Sequence, residues 1–168
     1  MPTLFADSVL HIVLFCPRSM LKQLRLVLPD ADVTAIAELL ESDAPKTCQT
    51  IWEALPFEGV LNHGIWSGPE TYLMIDPSIR IAPENQTVQT QAGEIGYYAV
   101  DGGRIVDWPD DMSEIAFFYG RGARPRMPTG PVAVNLFARI TENLEGFAQA
   151  CDEIRHSGVT TMRVEHDT

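Results

Sequence analysis

Cysteines, basic residues and long apolar runs are scarce in this 168-residue chain, and each scarcity excludes a class of protein. The three cysteines form no CxxC pair, which argues against a disulfide scaffold or zinc ribbon and favours the reducing cytoplasm. Only 12 basic residues face 23 acidic ones, and the net charge of −11 opposes binding to nucleic acid or anionic membrane surfaces. The apolar run near the N-terminus, at 9–16, is too short to span a bilayer. The sequence therefore predicts a cytoplasmic protein that binds neither nucleic acid nor membrane.

Local motifs for catalysis and cofactor binding are missing as well. The chain contains no P-loop, no GxGxxG and no GxSxG nucleophile elbow. Its four histidines are spread out, without HxH, HExxH or any other spacing typical of metal ligands. We therefore expect no metal and no cofactor, and no local motif identifies a catalytic residue.

Length and composition are those of one globular domain. Hydrophobic residues make up 45% and charged residues 21%, with no internal repeat or low-complexity segment. A chain of this length can bury one sizeable core. We expect a single domain at 21–168 preceded by an N-terminal extension at 1–20. The competing interpretation is that translation begins at Met20, because 20–28 already resembles the first strand of a domain.

The hydrophobic pattern is mostly that of short strands. Leu24, Leu26 and Leu28 alternate with other residues, the period of a half-buried strand. Further strands are predicted at 59–66, 71–75, 79–81, 94–100, 104–107, 114–119, 132–140 and 159–164. The Asp-Gly-Gly step at 101–103 predicts a hairpin between two of them.

Helical spacing occurs in three places. It predicts helices at 33–40, at 45–55 and after residue 143. Eight or so strands with so few helices favour a closed barrel, because closure removes exposed strand edges. We expect a mainly β protein whose barrel is capped at its ends by two or three helices.

Several segments resemble a known barrel family. The PKT run at 45–47 resembles the first helix start of cyclophilins, the eight-stranded barrel prolyl isomerases. Later segments are similar to an uncharacterised bacterial family with a cyclophilin-like barrel: WEALPFEG at 52–59, HGIWSG at 63–68, PENQT at 83–87, AGEIGYY at 92–98, EIAFFYG at 114–120 and GPVAVNLFA at 130–138. The resemblance covers about residues 21–140. It implies a closed eight-stranded cyclophilin-like barrel more firmly than it implies an activity.

The same resemblance argues against prolyl isomerase activity. Cyclophilins place a catalytic arginine beside a phenylalanine and a histidine on the strand after the first helix. The corresponding stretch here, GVLNHGIW at 59–66, has no arginine and carries His63 and Trp66 instead. Without a cation aimed at the prolyl nitrogen, we expect no prolyl isomerisation.

A basic loop stands out in this acidic chain. The segment GRGARPR at 120–126, here called the arginine loop, holds Arg121, Arg124 and Arg126 and no acidic residue. Such a positive island can bind a carboxylate or phosphate through the guanidinium fork. The competing interpretation is a solvated loop whose arginines pair with surface acids.

Polar and aromatic residues on predicted strands form a second candidate set. Its members are His63, Trp66, Tyr98, Phe118, Asn135 and Phe137. One face of each barrel strand lines the core, so the other meets solvent, helices or a ligand. Aromatics beside a histidine and an amide are typical of a small-ligand cleft, but they also pack under loops or at dimer contacts. Glu94 and Glu114 each begin a strand, and their separation does not follow from the sequence.

These observations lead to one main functional hypothesis and two alternatives. The main hypothesis is a barrel that binds a small anionic metabolite in the aromatic cleft, with Arg121 and Arg124 supplying positive charge. The first alternative is a small-molecule hydrolase or isomerase that uses His63 as its catalytic acid or base. The second is a homo-oligomeric peptide-binding module.

Overall fold

A computed structural model describes residues 22–105 and 108–167. The predictions for residues 1–20 therefore lie outside the described residues. The strands are β1 (Gln23–Leu28), β2 (Val33–Leu39), β3 (Phe57–His63), β4 (Glu70–Ile75), β5 (Gln86–Thr87), β6 (Glu94–Val100), β7 (Met112–Phe118), β8 (Arg126–Met127), β9 (Gly130–Pro131), β10 (Val134–Glu142) and β11 (Thr160–His166). The helices are α1 (Pro45–Ala54) and α2 (Leu144–Ser157).

The long strands form a closed antiparallel barrel, as predicted. Their order is β2-β1-β11-β3-β4-β7-β6-β10, and the pairing of β10 with β2 closes the ring. The short strand β5 pairs with the start of β10. Alternate residues of each strand point inward, so one apolar core fills the barrel. Its largest fully buried side chains include Phe117, Phe137, Phe147, Leu24, Leu26 and Leu28.

The two helices cap opposite ends of the barrel. Pro45 occupies the first turn of α1, where its missing N–H costs nothing, and Cys48 and Ile51 face the core. The α2 helix buries Phe147 and Cys151 against the end where β4 and β6 begin. Within the described part of the chain, no helix is long and apolar enough to cross a membrane.

The helix predicted at 33–40 is wrong, because these residues form β2. The turn after β1 is a hairpin in which Asp32 adopts a left-handed backbone conformation with φ 51°. β2 then pairs with β1 on one side and β10 on the other. Ala35, Ala37 and Leu39 point into the core at period 2. The apolar residues of this segment fit a helical spacing as well as a strand spacing. Strand neighbours on both edges of β2 supply its hydrogen bonds and decide in favour of the strand.

Two further strand predictions are wrong. Residues 79–81 form no strand, although Ile79 packs against the core and its carbonyl accepts hydrogen bonds from the hydroxyls of Tyr97 and Ser113 at 2.7 and 2.9 Å. The hairpin expected around 101–103 does not form either, since β6 pairs with β7 instead. The described part of 104–107 contributes only an isolated bridge between Ile105 and Trp108.

An irregularity in β10 changes which residues face the core. The register with β6 shifts between Leu136 and Ala138, so the strict alternation expected over 132–140 is broken. Phe137, Ala138 and Ile140 all join the main core, whereas Val134 and Leu136 pack outside the barrel wall. The outer faces of β6, β7 and β10 are covered by loops and form two small apolar clusters there.

Candidate functional site

A pocket lies on the outer wall of the barrel beside β4 and β7. We call it the tryptophan pocket and define it by six of its lining residues: Trp66, Glu70, Tyr72, Trp108, Glu114 and Arg126. Its volume is about 140 Å³. An engineered protein cavity of about 150 Å³ holds benzene, so this pocket is large enough for one ring-sized group.

Two loops that meet at the barrel surface form one side of the pocket. The backbone N–H of Arg124 donates to the Ser67 carbonyl at 2.8 Å. The Ser67 hydroxyl donates to the Arg126 carbonyl at 3.2 Å and accepts from its N–H at 3.1 Å. The loop between β3 and β4 is thereby joined to the arginine loop. This attachment places Trp66 and Arg126 beside the same pocket.

Glu70, the first residue of β4, contributes a buried carboxyl group to the pocket. Glu70 is only 5% exposed, and its Oε2 atom has no hydrogen-bond partner among the described residues. Burial raises the pKa of Glu70 to about 7, although the Ser67 hydroxyl counteracts this in part. A carboxyl with such a pKa exchanges protons near neutral pH.

Glu114 on β7 contributes a second buried carboxyl group. It is 8% exposed, and burial, together with the charge of Glu70, raises its pKa to about 8. Tyr72 lies between the two glutamates on the outer face of the barrel, because it follows Glu70 on the same face of β4. Burial raises the pKa of Tyr72 most, and the charges of Glu114 and Glu70 raise it further. The two carboxyl groups therefore share one environment and influence each other's protonation.

Glu94 is a buried carboxylate whose two oxygens are both satisfied by partners within the protein, and it serves as a comparison. It is 6% exposed, but its Oε1 accepts from the Arg139 guanidinium at 2.8 Å and its Oε2 from the Gln91 N–H at 2.8 Å. Within residues 22–105 and 108–167, neither Glu70 nor Glu114 forms an ion pair. The carboxyl pair of interest is therefore Glu70 with Glu114, not Glu94 with Glu114.

The arginine loop keeps its charges available. Arg121, Arg124 and Arg126 are exposed. Among the ion pairs of the described residues, none includes any of these three arginines. This argues against the interpretation in which surface acids neutralise the loop. Arg126 is the member that lines the tryptophan pocket.

The residues predicted for the cleft separate into two groups. Trp66 is 48% exposed and lines the tryptophan pocket. Tyr98 is half-buried on the outer face and pairs with Glu114 across β6 and β7. Phe118 is 1% exposed and packs in an outer apolar cluster, whereas Phe137 is 0% exposed and lies in the barrel core. Trp66 and Phe137 are therefore on opposite sides of the barrel wall.

Asn135 is buried and fully engaged within the protein. Its Nδ2 donates to the Thr47 hydroxyl at 3.2 Å and to the Ala82 carbonyl at 2.9 Å. Its Oδ1 accepts from the Glu84 N–H at 3.2 Å. The Glu84 carboxylate in turn accepts from the N–H of Thr47 at 2.8 Å, near the start of α1. This network anchors the loop before β5 to α1 and β10.

His63 takes part in a hydrogen-bond network at the α2 end of the barrel. Its Nδ1–H donates to the Gly64 carbonyl at 2.7 Å, which leaves Nε2 as an acceptor. The Tyr119 hydroxyl lies 2.7 Å and the Arg155 Nε 2.9 Å from that nitrogen. Burial, with the Arg155 charge adding to it, lowers the pKa of His63. The ring is therefore neutral at pH 7 and connects β3 to α2.

Replacing His63 by alanine tests whether this network is its main role. We expect a loss of about 1–2 kcal/mol in the free energy of unfolding, because the hydroxyl and guanidinium lose their acceptor. Ligand binding in the tryptophan pocket should be unchanged. Chemical denaturation measures the first quantity and calorimetry the second. The exposed His156→Ala is the matched control. Loss of binding or activity without loss of stability would instead support His63 as the functional residue proposed from the sequence.

Comparison with known proteins gives a family and a fold. Residues 26–166 match the family described as "Protein of unknown function (DUF3830)", and the chain belongs to that family. A comparison with curated proteins found no match.

Solved structures that share the fold include the following two. McbB, solved in complex with tryptophan, superposes with a TM-score of 0.62 at 16% identity over 84% of this chain. The chain spans 44% of the McbB chain. The hypothetical protein AF2241 from Archaeoglobus fulgidus, solved in solution, gives 0.58 at 22% identity, covering 90% of this chain and 99% of that one. At these identities the likeness concerns the fold alone.

Sequence reasoning did not find most of the pocket. Glu70, Tyr72 and Trp108 were outside the predicted set, and Glu114 was noted without a partner. One signal was present: Glu114 is a charged residue inside a strand whose other positions are almost all apolar. Such a residue on a strand that is buried on both faces indicates either a buried ion pair or a functional carboxyl.

Proposed function

We propose that this protein binds a small organic acid in the tryptophan pocket, with the ring or apolar part of the ligand between the indoles and its anionic group on Arg126. The observation that carries the proposal is that two tryptophans line the same pocket as an arginine that has no acidic partner among the described residues. Aromatic walls with a few polar groups are typical of small-molecule sites. Arg121 and Arg124 add positive charge to the approach.

The two carboxyl groups of the pocket are compatible with an anionic ligand. Burial raises the pKa of Glu70 to about 7 and that of Glu114 to about 8. Near pH 7 the pair therefore carries about one negative charge or less, and the Arg126 guanidinium offsets it. A ligand that accepts a hydrogen bond from a protonated carboxyl gains a further contact.

The size of the pocket and a structural precedent support the ligand class. A volume of about 140 Å³ accommodates one ring, with the charged group at the exposed edge where Arg126 lies. McbB has the same fold, and its structure was solved with tryptophan, which combines an aromatic ring with a carboxylate. The cyclophilin-like relationship inferred from sequence implies neither this pocket nor this ligand.

A ligand panel with matched arginine variants tests the proposal. We expect benzoate, phenylacetate and phenylpyruvate to raise the melting temperature, and neutral benzyl alcohol to have a much smaller effect. R126Q should weaken carboxylate binding about 10- to 100-fold, since a charge-assisted hydrogen bond contributes about 1.5–3 kcal/mol. R163Q, on β11 away from the pocket, is the matched control. Equal binding by R126Q and wild type, or no stabilisation by any acid, would refute the proposal.

The same protein samples also test the two alternatives that the sequence suggests. A hydrolase or isomerase using His63 predicts activity that His63→Ala removes. A homo-oligomeric peptide-binding module predicts a molecular mass above that of one chain in light scattering. The three hypotheses therefore predict different results: acid binding that depends on Arg126, enzymatic activity that depends on His63, or a molecular mass above that of one chain.

A further inference from the structure

We propose that Glu70 and Glu114 are a catalytic acid–base pair, and that the tryptophan pocket catalyses keto–enol tautomerisation of a small 2-oxo carboxylic acid. This inference rests on the proposed function, because it uses the same pocket and the same Arg126 contact. It adds a reaction to what would otherwise be a binding site.

The first argument is the arrangement of the carboxyl groups. Glu70 and Glu114 belong to neighbouring antiparallel strands, point to the same outer face, and both line the pocket. The Glu70 Oε2 atom is buried and has no partner among the described residues, although its residue lines an open pocket. A buried oxygen left without a partner costs about 1–3 kcal/mol or more, so it calls for an explanation.

The second argument is the contrast with the other buried carboxylate of the barrel. Glu94 also lies on the outer face, yet Arg139 and a backbone N–H satisfy it. Burying a carboxyl group without such partners destabilises a fold. Two such groups in one pocket, beside aromatic walls and an arginine, are therefore difficult to attribute to stability and are typical of catalytic sites.

The third argument is that the two groups can hold different protonation states. Burial raises the pKa of Glu70 to about 7, and burial together with the Glu70 charge raises that of Glu114 to about 8. Because the charge of Glu70 raises the pKa of Glu114, the pair ionises in two steps, and we assign Glu70 as the group that ionises first and Glu114 as the one that keeps its proton. A pair of titratable groups with pKa values near the working pH is suited to general acid–base catalysis.

The reaction follows from these assignments. Arg126 holds the carboxylate of the 2-oxo acid, and the side chain lies between the indoles. The Glu70 carboxylate takes a proton from C3, the C–H electron pair becomes the C2–C3 double bond, and the carbonyl oxygen takes the Glu114 proton to give the enol. The reverse reaction returns both protons, and no other reactant is consumed. After one turnover, proton exchange with water restores the starting protonation of the pair.

Phenylpyruvate and pyruvate are suitable probes, because each carries a carboxylate, a carbonyl and acidic C3 hydrogens. In D2O, proton NMR measures the rate at which these hydrogens exchange. We expect wild-type protein to accelerate exchange of at least one probe over buffer. E70Q should reduce the acceleration about 100-fold or more, because an amide cannot accept the proton. E58Q, an exposed glutamate on β3, is the matched control.

The pH dependence separates catalysis from binding. The exchange rate should follow a bell-shaped profile, and E114Q should lose its alkaline limb while retaining a lower rate. The other ionisable groups that face the pair are Tyr72 from β4, Tyr98 from β6 and Arg126. Burial raises the pKa of both tyrosines above its ordinary value, so neither tyrosine titrates in the neutral range.

Binding measurements show which proposal fails. If phenylpyruvate raises the melting temperature but neither probe exchanges faster than in buffer, the acid–base pair is refuted and the binding function survives. If E70Q exchanges as fast as wild type, the role of Glu70 is refuted. If E70Q binds phenylpyruvate as wild type does and no longer accelerates exchange, the proposal is supported.

Discussion

Replacing Glu114 by glutamine is expected to stabilise the protein increasingly as the pH rises, by about 2–4 kcal/mol between about pH 5 and about pH 8.5. Burial, with the Glu70 charge adding to it, raises the pKa of Glu114 to about 8, whereas an unfolded glutamate ionises near its ordinary value. A group whose pKa is raised by folding supports the fold at low pH, and this support is lost as the pH rises toward the folded value. The glutamine side chain has no charge to bury, so the variant does not lose this stability.

Urea denaturation at several pH values measures the effect. The difference in unfolding free energy between E114Q and wild type should grow through the range between the unfolded pKa and pH 8.5. E58Q controls for removing one negative charge from a chain of net charge −11, because Glu58 is exposed. A difference that stays constant with pH would show that Glu114 is as well solvated in the folded as in the unfolded chain. The effect depends on the buried geometry alone and does not require any ligand.

Replacing Phe137 by alanine is expected to cost about 3–5 kcal/mol of unfolding free energy. The side chain is 0% exposed within the main core and lies at the irregularity in β10. Removing the ring loses its burial and leaves a cavity that the surrounding barrel can only partly fill. The Cys48 thiol, which donates to the Phe137 carbonyl at 3.2 Å, also fixes this part of the strand to α1.

The same substitution decides between two roles for this residue, since the sequence indicated a ligand contact. Val60→Ala, at a position 50% exposed on β3, is the control and should change stability by about 0.5 kcal/mol or less. At temperatures where the F137A variant is folded, it should bind phenylpyruvate with wild-type affinity. A variant of nearly wild-type stability that no longer binds acids would instead favour the ligand contact.

The barrel was predictable wherever local chemistry and tertiary environment agree. β6 forms at 94–100 as predicted, because the Asp-Gly-Gly step ends the strand just after it. α1 begins at the predicted Pro45, which fits only the first turn of a helix. The helical prediction at 33–40 failed because the apolar residues there satisfy both periods. Only the closure of the ring, in which β2 has a partner on each edge, decides in favour of the strand.

The candidate site was predictable only in part. The sequence could single out Trp66 and the arginine loop, because an aromatic residue at the end of a predicted strand and three arginines without acids are local features. The pairing of Glu70 with Glu114 was not, since it depends on β4 lying beside β7 rather than on any spacing along the chain. Trp108 reaches the pocket from the connection between β6 and β7, whose path the sequence pattern assigned to another hairpin.

The amino-acid sequence by itself determined that the chain would build a mainly β barrel with amphipathic helices at its ends, and that a positive loop would stand out from an acidic surface. These properties follow from composition and from side-chain alternation, which act over a few residues. Only the tertiary structure decided which carboxyl groups became buried together and which arginine lines the same pocket. The reason is physical: desolvation and charge coupling depend on distances through space, and these exist only after the strands have paired.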